Sequence, residues 1–172
     1  MIHKKIEEAI NQQVANEAYA SSSYLSMASW CEITGLRGAA GFFYEQSDEE
    51  RVHMRKMFKY INEAGGHALV PVIKEPPATY KSINEAFEIA LSQEQGVTKQ
   101  INKLVDLSLE TKDYASFHFL QWFVEEQLEE EKLFRTILDV IIKLGASDRK
   151  SSLLLIDNEI AKIRGQEEVK EK

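Results

Sequence analysis

Four glutamates, Glu17, Glu50, Glu94 and Glu130, occupy positions at which the helical repeat of this 172-residue chain otherwise places apolar core residues. Stepping seven positions nearly restores the same direction on an α-helix, so each inward stripe can be followed along the sequence. Ile10, Glu17 and Tyr24 share one stripe. Phe43, Glu50, Met57 and Ala64 share a second, with His53 and Tyr60 beside it. The third reads Phe87, Glu94, Ile101; in the fourth, Phe123, Glu130 and Ile137 align while Leu120, Gln127, Phe134 and Ile141 fill neighbouring inward positions. No Lys or Arg lies on these stripes near the glutamates. A fold that buries these faces therefore buries four carboxylates, and each costs several kcal/mol unless positive charge meets it.

One such glutamate alone reads as a boundary residue or as half of an interhelical salt bridge. Four of them, each near the middle of its own long segment, read differently. A helix rises about 1.5 Å per residue, so carboxylates halfway along packed helices meet whichever way each helix runs. His53 follows Glu50 by one turn and brings an imidazole to the same face. A donor set of carboxylate oxygens with a single imidazole nitrogen suits iron or manganese better than a closed structural zinc site. The ligand count predicts a two-metal centre.

The segments that carry the stripes are bounded by recognisable signals. A first helix is expected over about 4–34, ended by Thr34-Gly35, and a second over about 39–64, ended by Gly65-Gly66. The short turn between them predicts antiparallel packing. Residues 67–81 carry all three prolines, Pro71, Pro76 and Pro77, and do not form a helix of ordinary length. Extended, that stretch spans roughly 50 Å, enough to return the chain to the opposite end of the bundle and set the second and third helices parallel. Ser82 and Glu85 have capping-box spacing and open a third helix running to about Leu109. Asp113 caps a fourth that reaches about Leu144 before Gly145. A shorter segment from Asp148 to Ile163 carries Leu153, Leu154, Leu155, Ile156, Ile160 and Ile163, apolar on more than one face; it either docks on the bundle end or also makes a subunit contact. The charged residues 166–172 are expected to fray.

The chain length fits one domain spanning 1–172, and 44% hydrophobic residues are ample for one core. With 21 basic and 28 acidic residues, the net charge of −7 argues against general nucleic-acid binding and favours attraction of cations. A lone cysteine, Cys31, forms no intramolecular disulfide and reads as a small buried apolar residue in a reducing compartment. The start of the chain is polar, without an apolar run that exports or anchors it, so a cytoplasmic protein with no membrane partner is the expectation. No Gly-rich phosphate loop and no Ser-His-Asp or Cys-His arrangement stands out.

Two stretches are specific: Glu49-Glu50-Arg51-Val52-His53, and Gln121-Trp122-Phe123-Val124-Glu125-Glu126-Gln127 followed by Glu129-Glu130-Glu131-Lys132. Through them, and over essentially its whole length, the chain resembles the bacterial non-haem ferritins. That resemblance implies an all-α, ferritin-like four-helix bundle with a long crossover and a short fifth helix. It implies that Glu17, Glu50 and His53 hold a first iron. Glu50, Glu94 and Glu130 would hold a second, with Glu50 bridging and Gln127 supporting by hydrogen bonding. A third iron position would match Glu49, Glu126 and Glu129, with Glu130 shared. Tyr24 and Trp122 would be nearby electron donors. The implied activity is ferroxidase: Fe(II) is oxidised by dioxygen or peroxide, and ferric oxide is stored in a hollow homo-oligomeric cage of twenty-four subunits.

The chain also departs from its relatives' patterns. The di-iron bundle pattern has two Glu-x-x-His motifs; here only Glu50 has its histidine, and Leu133 stands three residues beyond Glu130. Arg51 occupies the place where haem-binding bacterioferritins carry methionine, so no haem is expected. Phe117, His118 and Gln121 replace the acidic pore residues of animal ferritins, which leaves iron's route inward open. Two other readings compete: a di-iron or di-manganese oxidoreductase of the rubrerythrin or ribonucleotide-reductase kind, and a DNA-protecting starvation-type cage. The first usually has the second Glu-x-x-His; the second normally places its site between subunits and often has a basic tail.

Overall fold

The computed structural model describes residues 2–145 and 150–170, and in those residues the chain is helical with no strand. The helices are α1 (Lys4–Ile33), α2 (Arg37–Glu63), α3 (Ile83–Glu110), α4 (Tyr114–Leu144) and α5 (Lys150–Lys170). Their ends follow the expected chemistry. Ser82 Oγ accepts from Glu85 N at 3.1 Å, and Asp113 Oδ1 accepts from Ser116 N at 3.1 Å, each satisfying a free amide in a first turn. Gly35, Gly65 and Gly145 take positive φ of 84°, 83° and 70° just beyond α1, α2 and α4, where a side chain would be strained.

Ile2 N donates to the Ala64 carbonyl at 2.8 Å, so the start of α1 lies beside the end of α2 and the two are antiparallel. The connection to α3 then tracks along α1. Asn11 receives it, donating to the His67 carbonyl at 3.0 Å and accepting from Leu69 N at 2.8 Å. Ser26, some four turns further on, donates to the Pro77 carbonyl at 2.6 Å, and Trp30 meets Tyr80 edge to face at 5.5 Å. The segment thus travels the length of the bundle and starts α3 at the end where α2 began, which sets α2 and α3 parallel.

The core is in two pieces. One cluster holds Tyr24, Phe42, Phe43, Phe87 and Phe134, with rings 4.6–6.2 Å apart. The other is mainly aliphatic, with Ile10, Met57, Ile101 and Leu120 around Phe123. On every one of the four long helices, a buried polar stretch separates the two: Gln13 and Glu17, Gln46 to His53, Glu94, and Gln127 with Glu130. The glutamates form a polar layer through the middle of the bundle.

Helix α5 packs on α2 and α4 through Ile156 and Ile160, both fully buried. Leu154 and Leu155 stay 62% and 54% exposed, so docking on the bundle uses only part of its apolar surface. The helix runs past the expected end near Ile163 to Lys170: the charged stretch that suggested fraying is also composed of good helix formers, and one glycine, Gly165, costs only about 1 kcal/mol. The expected start at Asp148, and Glu171 and Lys172 of the tail, lie outside the described residues. Asp157 makes a connection that local sequence does not announce. Its carboxylate accepts from Gly38 N at 2.9 Å and Ala39 N at 2.8 Å, capping α2 where Leu36 offers no side-chain acceptor. Gly38 is required there, because a Cβ would collide with the Asp157 carbonyl.

Candidate metal centre

The polar layer is almost completely dry. Glu17, Glu50, His53, Glu94 and Glu130 are each at most 4% exposed, and among the described residues no Lys or Arg is buried with them. Glu17, Glu50 and His53 each present a donor atom within 4.8 Å of the others, close enough to ligate one ion. His53 Nδ1 lies 3.3 Å from Glu50 Oε2. Glu94 and Glu130 both act electrostatically on Glu50, and they complete the negative cluster from the α3 and α4 side.

Hydrogen bonds fix the carboxylates without neutralising them. Gln13, one turn before Glu17, donates to Glu17 Oε1 at 2.8 Å. Tyr24 donates a short hydrogen bond to Glu94 Oε1, and its ring stacks on Phe43 and Phe134. Gln127 donates to the other Glu94 oxygen at 3.1 Å and also borders a cavity of about 260 Å³ between α3 and α4. Thr98 links the layer outward, donating to Glu131 at 2.7 Å. Two oxygens, Glu17 Oε2 and Glu130 Oε2, are buried with no hydrogen-bond partner. Groups of this kind are rare in folded proteins unless an ion or water meets them.

The protonation behaviour follows from burial. Loss of water pushes Glu17 up to about 7, against bonds from Glu50 and Gln13 that pull it down. Burial, then Glu94 and Glu17, hold Glu50 well above the ordinary carboxylate range; Glu130 is raised in the same way by burial and then by Glu49, Glu94 and Glu126. Glu94 is also raised by burial. His53 moves the other way, down to about 4, because burial disfavours its cation and Lys56 adds a repelling charge. The imidazole is therefore neutral, with a lone pair free, at any pH where the carboxylates ionise. In the metal-free chain some of these carboxyls keep protons that a cation would displace. The donor types, the orphaned oxygens and the missing counter-charge fit a divalent cation; among the described residues the inner donors close enough to share one ion are Glu17, Glu50 and His53, with Glu94 and Glu130 outside that group.

A second group lies toward the surface. Glu49, His53 and Glu126 present donors within 4.8 Å of one another, with both glutamates half-buried and His53 shared with the inner set. The geometry does not bring Glu129 into either group: it is exposed on α4, one turn beyond Glu126. Trp122 stands edge-on to His53, ring centres 5.4 Å apart. His118 is exposed, as are His3 and His67. Cys31 is fully buried, and burial raises its thiol to about 12, which makes it inert. Sequence reading did not single out Gln13 and Gln46, which pack into the same layer; each lies one turn before a layer glutamate, Glu17 and Glu50, and that spacing is the signal that finds them.

A four-helix bundle with a buried carboxylate and imidazole donor set defines the class. A sequence model of the ferritin-like domain matches residues 7–144. The chain is 42% identical over 163 residues to a probable bacterial non-heme ferritin-like protein of Haemophilus influenzae, covering 95% of this chain and 98% of that one. It is 41% identical over 161 residues to the bacterial non-heme ferritin of Staphylococcus saprophyticus, covering 94% and 95%. An open pore ferritin from the archaeon Archaeoglobus fulgidus superimposes with a TM-score of 0.89 at 38% identity, over 94% of this chain and 98% of that one. The chain belongs to the ferritin family, among the bacterial non-haem ferritins. Among the described residues no helix is long and apolar enough to cross a membrane.

Proposed function

We propose that this protein stores iron and is a ferroxidase: it takes up Fe(II), oxidises it at the buried inner cluster and passes Fe(III) into a mineral within a homo-oligomeric shell. The observation that carries this reading is the dry layer of four carboxylates and one neutral imidazole, two of whose oxygens have no partner. Glu17, Glu50 and His53 hold one iron; Glu50, Glu94 and Glu130 hold the other, with Glu50 between them. Two Fe(II) side by side supply together the two electrons that reduction of dioxygen to the peroxide level consumes. Each iron gains positive charge as it is oxidised, and anionic oxygens in a water-poor layer stabilise that gain more than a neutral donor set would.

The surrounding residues tune this chemistry. Gln127 and Tyr24 hold Glu94 from two sides and fix its direction. Tyr24 is kept protonated, since burial and then Glu94 and Glu50 push its phenol well up, and on this reading it lends an electron through its bond to Glu94. The outer group of Glu49, His53 and Glu126 gives Fe a less enclosed position on its way out or in, and Glu129, exposed one turn beyond Glu126 and outside that group, adds negative charge near its solvent side. The exposed leucines of α5 serve subunit contacts in a twenty-four-subunit cage, and the assembled protein works in the cytoplasm without haem, nucleic acid or membrane.

The test is to load the apo-protein with Fe(II) anaerobically and admit dioxygen or peroxide while following ferric absorbance. A fast phase saturating at about two irons per subunit, then uptake of many more, supports the reading. Saturation at about two with no mineral supports a di-iron oxidoreductase instead. Sedimentation of the same sample tests the shell: a monomer or dimer at micromolar concentration is incompatible with it.

A further inference from the structure

Lys56 is a cation beside the outer group, and the assigned ligands do not use it. It lies two turns beyond Glu49 on the same stripe of α2. Its Nζ sits 3.1 Å from the centre of the Trp122 ring and 5.9 Å from that of Phe123, so the ammonium is held on an aromatic face. Trp122 in turn stands against His53, and Glu126 lies within electrostatic reach of Lys56. Lys56 thus faces His53 and Glu126, two of the three residues of the outer group. A half-buried side chain loses rotamer freedom when it is pinned this way, and Trp122 supplies the compensating attraction.

We propose that Lys56 is a tethered counter-ion that weakens the outer Glu49–His53–Glu126 position for divalent cations, keeping it a place of transit while the inner position retains its ions. This rests on the metal-centre reading above and deepens it. The unit charge on Trp122 repels an ion arriving among Glu49, His53 and Glu126 and competes with it for Glu126. The inner carboxylates are further in, behind His53, and carry enough negative charge of their own to bind regardless. Lys56 is a positioning residue: it acts on the ion through electrostatics and ligates nothing.

Calorimetric titration of the apo-protein with Zn(II), which undergoes no redox reaction, reads the two positions separately. In Lys56→Met and Lys56→Gln the weaker class of sites tightens by about tenfold at low salt, and less at high salt, while the tighter class is unchanged. Lys56→Arg keeps the charge and binds as the unsubstituted protein does. If Met, Gln and Arg variants all match the parent in both classes, or all shift alike, Lys56 merely packs on Trp122 and the proposal is overturned. Circular dichroism melts of each variant confirm folding, and Gln preserves the stem if Met fails to fold. Absence of any Zn(II) binding by the parent protein overturns the metal-centre reading itself, an outcome distinct from an insensitive Lys56.

Discussion

The inner and outer acidic groups share His53 and are built from neighbouring residues, yet they solve opposite problems. Glu17, Glu50, Glu94 and Glu130 lie in a dry layer between two hydrophobic clusters, with no buried lysine or arginine among the described residues. Glu49 and Glu126 are half-buried, in partial reach of solvent, and accompanied by Lys56. Desolvation makes the first group hungry for cations; water and a tethered ammonium dull the second. The proposed function needs both behaviours, since on that reading an ion is held long enough to react and is then let go.

The sharpest way to break this contrast is to remove the shared ligand. His53→Ala is expected to lower the initial rate of Fe(II) oxidation roughly a hundredfold, at the upper end of what loss of a supporting residue costs. Stopped-flow absorbance with parental rates would take His53 out of the centre. Gln127→Ala, which frees Glu94 on one side, is expected to slow the same phase by about tenfold. Substituting Glu126 or Glu129 by Ala is predicted to alter the iron bound per subunit with the fast phase and fold retained. The exposure of Glu129 makes its effect the smaller. Unchanged stoichiometry in both would remove the outer group from the iron path.

Protonation sharpens the comparison further. Glu17 is raised from 4.5 to about 7 in the folded chain, so the folded state holds a proton between those values that the unfolded state has released. Stability is then fully present below about 4.5 and is lost as pH rises through about 7, by on the order of 3 kcal/mol. Lowering of His53 to about 4 acts oppositely and costs stability below its ordinary value of 6.5. The isolating experiment compares Glu17→Gln with the parent in metal-free buffer. The stability advantage of the variant is expected to grow from pH 5 to pH 7 and to vanish when Zn(II) is added. A pH-independent difference between their melts would show that Glu17 is not the carboxyl that titrates. As a reference away from both groups, Asp157→Ala is expected to cost about 1 to 2 kcal/mol through the lost cap of α2, with iron oxidation unchanged.

What could be read in advance follows the range of the interaction. The helices α1 to α4 were legible within two residues because their ends are signalled locally, by Ser82, Asp113 and the glycines. The inward glutamates were legible because heptad spacing on a helix fixes direction. Gln13 and Gln46 obey the same rule, but glutamine carries no charge that would demand an explanation. Asp157 was not legible as the cap of α2, since its partners Gly38 and Ala39 are distant in sequence and nothing local at Leu36 asks for a remote carboxylate. Nor was Lys56 on Trp122, because the approach of α2 and α4 decides which aromatic face a flexible lysine meets. The end of α5 depended on propensity alone, where a single glycine and a run of charge gave too little to fix a boundary.

Crystals of the apo-protein soaked anaerobically in ferrous salt, with anomalous difference maps collected at the iron edge, bear most directly on the whole account. The strongest peaks should fall between Glu17, Glu50 and His53 and between Glu50, Glu94 and Glu130, with a weaker one beside Glu49 and Glu126. Empty maps among those side chains, or carboxylates turned outward to solvent, would contradict it.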